Sequence, residues 1–104
     1  MDLVRWAYTG REPVAAKIVR AVEEAENLHE GERGMERRID RITGGWREEH
    51  PDQVAHFAAD IEREYARKNG RMDRMLQYGM PDEWIARLLA ELKGLKMAAA
   101  LLMR

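Results

Sequence analysis

The segment that follows Pro81 constrains the fold more than any other, because as a helix it is apolar on two sides. At about 100° per residue, the first side carries a run of aliphatic residues with Trp84 at its edge: Ile85, Leu88, Leu89, Leu92, Leu95, Ala99 and Leu102. The second side, well around the cylinder, carries Ala86, Ala90, Gly94, Met97 and Leu101. A helix of this kind is either central in its own domain or shared with a partner.

Helical spacing also runs through the first half of the chain, and no segment alternates apolar and polar residues as a strand would. One apolar stripe comprises Val14, Ile18, Ala21, Val22, Ala25 and Leu28, and the next comprises Met35, Ile39 and Ile42. The two stripes keep one heptad register, so a single long helix over 13–43 is an alternative. Two helices with a break near Gly31 to Gly34 are favoured, because glycine costs about 1 kcal/mol inside a helix.

Helix-capping and helix-breaking residues set the other expected helix boundaries. Asp2 is expected to cap a short first helix, and Thr9 with Glu12 fits a capping box. The Thr43-Gly44-Gly45 stretch is expected to end the helix that carries Ile39.

Pro51 and Asp52 open the following helix, which Asn69-Gly70 is expected to stop. A short helix with Met72, Met75 and Leu76 would then close at Gly79, and the last helix would run from Pro81 to about Met103. These signals predict an all-α fold: one helical domain over residues 1–104, a compact bundle of five or six helices with the C-terminal helix central or at an interface.

Composition excludes several kinds of chemistry. The 104 residues include no cysteine and no serine, so disulfides, thiolate metal sites and serine or cysteine nucleophiles are excluded. Glu26 and His29 have the spacing of a di-iron helical bundle, but the chain lacks the second such pair that a full site needs. We expect no metal site, no cofactor, no small-molecule substrate and no enzymatic activity.

The chain has neither a signal-peptide pattern at Met1 nor an apolar run long enough to cross a membrane. The longest apolar run is 97–103, whereas a membrane span needs about 20 residues. We expect a cytoplasmic protein that does not enter a membrane.

The two-sided last helix predicts a non-enzymatic protein–protein interaction module, which either self-associates or docks on a partner protein. Such a module could serve as an accessory regulator, an assembly factor or an inhibitor. The expected interface is the second side of that helix: Ala86, Ala90, Gly94, Met97 and Leu101. Small residues spaced four apart let another helix approach closely, and methionine adapts to the surface that it meets.

A nucleic-acid-binding regulator is the alternative function. Basic residues surround an aromatic one in the segment Arg33, Arg37, Arg38, Arg41, Trp46 and Arg47, which would combine phosphate contacts with base stacking. Glu36 and Asp40 interrupt this cluster, however. The 18 basic and 19 acidic side chains give a net charge of -1, which disfavours general binding to polyanions.

Overall fold

The computed structural model describes residues 13–104, and every element within that range is helical. The four α-helices in chain order are α1 Val14–Asn27, α2 Gly31–Glu49, α3 Val54–Gln77 and α4 Asp82–Leu102, with a single 3-10 turn at Pro51–Gln53. The all-α prediction is confirmed for this part of the chain, but the described helices number four rather than five or six. The predictions about Asp2, Thr9 and Glu12 lie outside the described residues.

The turn between α1 and α2 separates two helices, as predicted, but it lies at 28–30 rather than at the glycines. The amide of Glu30 donates to the carbonyl of Ala25 at 2.9 Å, and His29 adopts a φ of 54°. A bond that spans five residues around a left-handed residue is the Schellman ending of a helix. Gly31, with a φ of 74°, begins α2, and Gly34 is buried inside it.

The prediction that Gly44 and Gly45 end α2 is wrong, because the helix continues to Glu49. Buried Thr43 donates its hydroxyl to the carbonyl of Ile39 at 2.9 Å. Beyond the glycines, Trp46 packs on Phe57 with ring centroids 5.4 Å apart. Packing of this aromatic pair compensates for two glycines that each cost about 1 kcal/mol inside a helix.

The prediction that Asn69 and Gly70 stop α3 is also wrong, so the two helices expected between Pro51 and Gly79 are one, which begins at Val54 after the 3-10 turn. Lys68 and Met72, on either side of this pair, are both buried and face the same side of α3. Their contacts with α4 hold the chain helical across two residues of poor intrinsic propensity.

The last helix has the predicted boundaries to within two residues. It begins at Asp82, directly after Pro81, and ends at Leu102. Gly79, with a φ of 66°, closes α3, and the amide of Met80 donates to the carbonyl of Met75 at 3.1 Å. The α3–α4 connection therefore repeats the Schellman geometry of the α1–α2 turn, here with the glycine that the geometry favours.

Helices α3 and α4 form a long hairpin, and α1 and α2 pack against one end of it. The main core draws residues from all four helices, including Ile18, Val22, Ile39, Ile61 and Leu95, each fully buried. A smaller cluster of Met72, Leu88 and Leu92 lies farther along the hairpin and draws only on α3 and α4. At the end of the hairpin where the 78–81 connection joins the two helices, which we call the free end, α3 and α4 pack only on each other, and neither α1 nor α2 contributes to the core there.

Candidate functional site

The second apolar side of α4 is largely occupied within the chain. Gly94 and Leu101 are buried, and a Cβ added at Gly94 would clash with Cγ2 of Val22 and lie 3.4 Å from Cδ1 of Ile39. Ala90 and Met97 are half-buried against the main core. The close helix approach predicted at Gly94 is therefore the approach of α1 and α2 of the same chain.

Of the five predicted interface residues, Ala86 alone is exposed. A partner that approached this side of α4 would meet Ala86 and the edges of Ala90 and Met97, while Gly94 and Leu101 serve the chain's own core. The apolar surface available to a partner must be sought elsewhere on the described residues.

The basic segment of α2 is divided by the fold into two groups. Arg38 donates to both carboxylate oxygens of Glu30, at 2.7 and 2.8 Å, and to Glu24 at 2.9 Å. Arg47 donates to the carbonyl of Leu101 at the end of α4. These two arginines hold helices together, and Trp46 is half-buried against Phe57.

The other three arginines of that segment remain on the surface. Arg33, Arg37 and Arg41 are spaced four apart along the exposed side of α2, and none forms an ion pair with another residue of 13–104. Exposed Glu36 and Asp40 lie beside them. The structure therefore does not assemble the predicted aromatic and basic cluster into one surface.

Glu26 and His29 border a groove of about 500 Å³ beside the α1–α2 turn, together with Glu32 and Lys93. Lys93 forms an ion pair with Glu32 at 2.9 Å. Among residues 13–104, no three carboxylate, histidine or cysteine groups lie close enough together to hold a metal ion. None of the four helices is both long and apolar enough to cross a membrane.

Large apolar side chains are exposed at the free end of the α3–α4 hairpin. Leu76 is 58% exposed, Tyr78 75% and Trp84 53%. They lie in the last turn of α3, the connection and the first turn of α4. The other exposed large apolar side chains of residues 13–104 are Leu28, Leu89 and Met103. Three such residues at one end of the hairpin make that end a candidate binding surface, because exposed apolar surface that is concentrated in one region often marks an interaction site.

A groove of about 430 Å³ runs between the two helices at this end. We call it the tip groove and define it by its lining residues: Arg71, Met75, Met80, Trp84, Arg87, Leu88 and Glu91. Buried Leu88 and half-buried Met75 and Met80 supply apolar surface, and Trp84 supplies an aromatic wall. Its volume lies within the usual range of a few hundred Å³ or more for binding pockets.

The charged residues of the tip groove differ in whether they are already paired within the protein. Glu91 is buried and accepts a hydrogen bond from Lys68 at 2.9 Å, so its charge is neutralised within the protein. Arg71 and Arg87 are exposed and form no ion pair with any other residue of the described range. The rim of the groove is therefore cationic, although the chain as a whole carries a net charge of -1.

This groove was not predicted from the sequence, because the apolar spacing placed Trp84 at the edge of the α4 stripe and indicated a separate short helix for Met72, Met75 and Leu76. The concentration of methionine between positions 72 and 80, followed closely by Trp84, was the available signal. No family model, curated protein or solved structure matches this chain, so the interpretation of the site depends on its own geometry.

Proposed function

We propose that this protein is a non-enzymatic helical interaction module that binds a partner protein through the tip groove. One observation carries the proposal: Trp84 is half-exposed beside an apolar groove at an end of the hairpin that α1 and α2 do not cover. Burial of such a residue in a complex removes a large apolar area from water, which favours association.

The residue types of the groove suit protein recognition. Tryptophan, methionine and arginine are enriched in the centres of protein–protein interfaces, while lysine and glutamate are depleted there. Tryptophan and arginine also dominate the few residues that carry most of the binding energy. Met75 and Met80 have flexible side chains that can adjust to the shape of the residue inserted between them.

The lining of the groove does not suit catalysis by its own side chains. Its single carboxylate, that of Glu91, is held by Lys68 at 2.9 Å, and its other charged groups are arginines, which do not exchange protons near neutral pH. Recognition by shape and charge is the function that these side chains support.

Affinity capture with matched variants tests the proposal. The full chain, its Trp84→Ser variant and an Ala100→Ser variant would each be immobilised and exposed to lysate of the source cell. Ala100 is the matched control because it is exposed on another side of α4. We expect a protein that wild type and Ala100→Ser retain and Trp84→Ser does not; equal retention by all three would overturn the proposal.

A further inference from the structure

We infer that the occupant of the tip groove is an acidic amphipathic helix. It would insert one bulky apolar side chain between Met80, Trp84 and Leu88 and direct carboxylates toward Arg71 and Arg87. This inference rests on the proposed function and specifies the chemistry of the partner.

The same hairpin already binds a helix of this kind within the chain. Helix α1 contacts both α3 and α4, with Val22 seated against Gly94. The exposed side of α1 carries Lys17 and Arg20 in its first half and Glu23, Glu24 and Glu26 in its second half, the half that contacts Gly94. At Gly94 the hairpin surface thus accepts an apolar helical stripe whose neighbouring positions are acidic.

The tip groove continues that surface toward the free end of the hairpin. Glu91, at its inner end, precedes Gly94 by three residues, which is one helical turn. Trp84 lies two further turns along α4. A second helix packed across α3 and α4 between Glu91 and Trp84 would contact Met75 and Leu88, as α1 contacts the hairpin at Gly94.

Charge selects the kind of helix. Arg71 and Arg87 flank the apolar lining, one on each helix of the hairpin. Asp73 follows Arg71 by two residues and Asp82 precedes Trp84 by two, so both project from the far sides of their helices. Glu83 lies four residues before Arg87 and so on the same side of α4, but it does not line the groove and forms no ion pair with Arg87. The rim consequently attracts carboxylates, which arginine binds in a planar, two-point geometry.

The same charges disfavour a second copy of this chain as the occupant. In a twofold dimer each patch meets the identical patch of the other copy. The two arginines of one rim would then face the two arginines of the other, at a groove whose carboxylate is already neutralised by Lys68. Like charges in such an interface oppose association.

Two synthetic helical peptides of about 15 residues, long enough to form several helical turns, test the inference. Both carry leucine and one tryptophan along one side. The acidic peptide has glutamate on its other positions, and the basic peptide has lysine there. Fluorescence anisotropy of the labelled peptides, with the full chain as titrant, gives the two dissociation constants. We expect the acidic peptide to bind roughly tenfold more tightly or better, because steering and pairing by the two arginines favour it.

Charge reversal provides the decisive comparison. The variant Arg71→Glu/Arg87→Glu is expected to prefer the basic peptide. The control Arg33→Glu/Arg37→Glu makes the same change in net charge on exposed α2 positions and is expected to keep the acidic preference. Trp84→Ser is expected to weaken both peptides. Circular dichroism establishes that each variant retains its helicity.

Equal binding of the two peptides by wild type would overturn the inference. The same change in peptide preference from Arg71→Glu/Arg87→Glu and from the control Arg33→Glu/Arg37→Glu would also overturn it. So would a concentration-dependent dimer that Trp84→Ser abolishes, since the occupant would then be a second copy. None of these results alters the outcome of the capture experiment. Loss of a captured protein with Trp84→Ser would still support the proposed function and assign it a partner of different chemistry.

Discussion

The ammonium of Lys68 lies 2.9 Å from Oε1 of Glu91, and the pair joins α3 to α4 from within the hairpin. Each side chain is only 10% exposed, and Glu64 lies 3.7 Å from the same ammonium. The pair lies between the main core and the smaller cluster of Met72, Leu88 and Leu92. Because Glu91 is the one carboxylate that lines the tip groove and it is already paired with Lys68, the charge of the rim is set by Arg71 and Arg87.

Removal of one partner of this ion pair is expected to destabilise the protein by about 3–5 kcal/mol, because a nearly buried charge is left unpaired. Lys68→Met should cost more than Glu91→Leu, since it leaves the buried Glu91 carboxylate without a cation, whereas Lys68 keeps Glu64 as a partner in the other variant. Glu64 itself keeps its hydrogen bonds from Arg67 in both variants. The double variant Lys68→Met/Glu91→Leu should recover most of the loss. Urea unfolding of the four proteins measures these differences; a double variant as unstable as the worse single one would contradict them.

Enlargement of Gly94 is expected to destabilise the fold. A Cβ there would clash with Val22, so Gly94→Ala should lower the free energy of unfolding by about 1–3 kcal/mol through overpacking. Gly45→Ala is the matched control, because its added Cβ would meet nothing closer than Oε1 of Glu49 at 3.9 Å. That change should stabilise the helix by up to about 1 kcal/mol. If thermal unfolding showed that both variants were stabilised, or that both were destabilised, the close packing of Val22 on Gly94 would be refuted.

The bonds from Arg38 to Glu30 predict a pH dependence of stability. Hydrogen bonding to the Arg38 guanidinium lowers the pKa of Glu30 below its ordinary value of 4.5, and Arg37 and Arg41 add to the effect. A carboxyl with a lowered pKa in the folded state contributes stability that is complete above the unfolded pKa and is lost as pH falls through the folded value.

Replacement of Arg38 tests this dependence. Wild type should exceed Arg38→Gln in melting temperature by a constant amount at neutral pH, and the difference should shrink below pH 4.5. Arg33→Gln removes an arginine that has no ion pair in the described range, so its melting temperature should differ from that of wild type by the same amount at every pH. A difference that stays constant down to the acid limit would exclude the proposed role of Glu30.

Substitution at the tip groove is expected to leave stability nearly unchanged. Trp84 is 53% exposed, so Trp84→Ser should alter the free energy of unfolding by less than about 1 kcal/mol, as for surface positions. Leu88→Ser, at a buried position of the same groove, should cost several times more. Comparable losses in the two urea titrations would mean that Trp84 supports the fold, and it would then be unsuitable as a probe of binding.

The helical class and the start of α4 were predictable because they depend on local patterns. Apolar spacing gave the core sides of α1 and α2, apart from Leu28, which lies after the end of α1 and is 62% exposed. Pro81 followed by two acidic residues marked the start of α4. Glycine pairs were poorer guides. At Gly44–Gly45 and at Asn69–Gly70 the propensity for a break is outweighed by tertiary contacts of the flanking residues, Trp46 in one case and Lys68 with Met72 in the other.

The tip groove was less predictable, because its lining comes from two helices and their connection. Whether α4 was covered by its own chain or by a partner depended on how α1 crosses the hairpin, and that crossing depends on Val22 meeting Gly94 across 72 positions of sequence. Sequence spacing placed Leu88, Leu92 and Leu95 of α4 in the core, where they lie, but it also placed Leu89 there, which is 54% exposed, and it missed fully buried Ala98. It could not assign an occupant to each side.

Site-specific photo-crosslinking in the source cell tests whether another protein docks at the tip groove. A photoreactive benzoylphenylalanine would stand in place of Trp84 in one protein and in place of Ala100 in another, both on α4 and both exposed in wild type. We predict a discrete adduct with another protein from position 84 and none from position 100. Absence of an adduct at position 84, or the same adduct from both positions, would contradict docking at the tip groove.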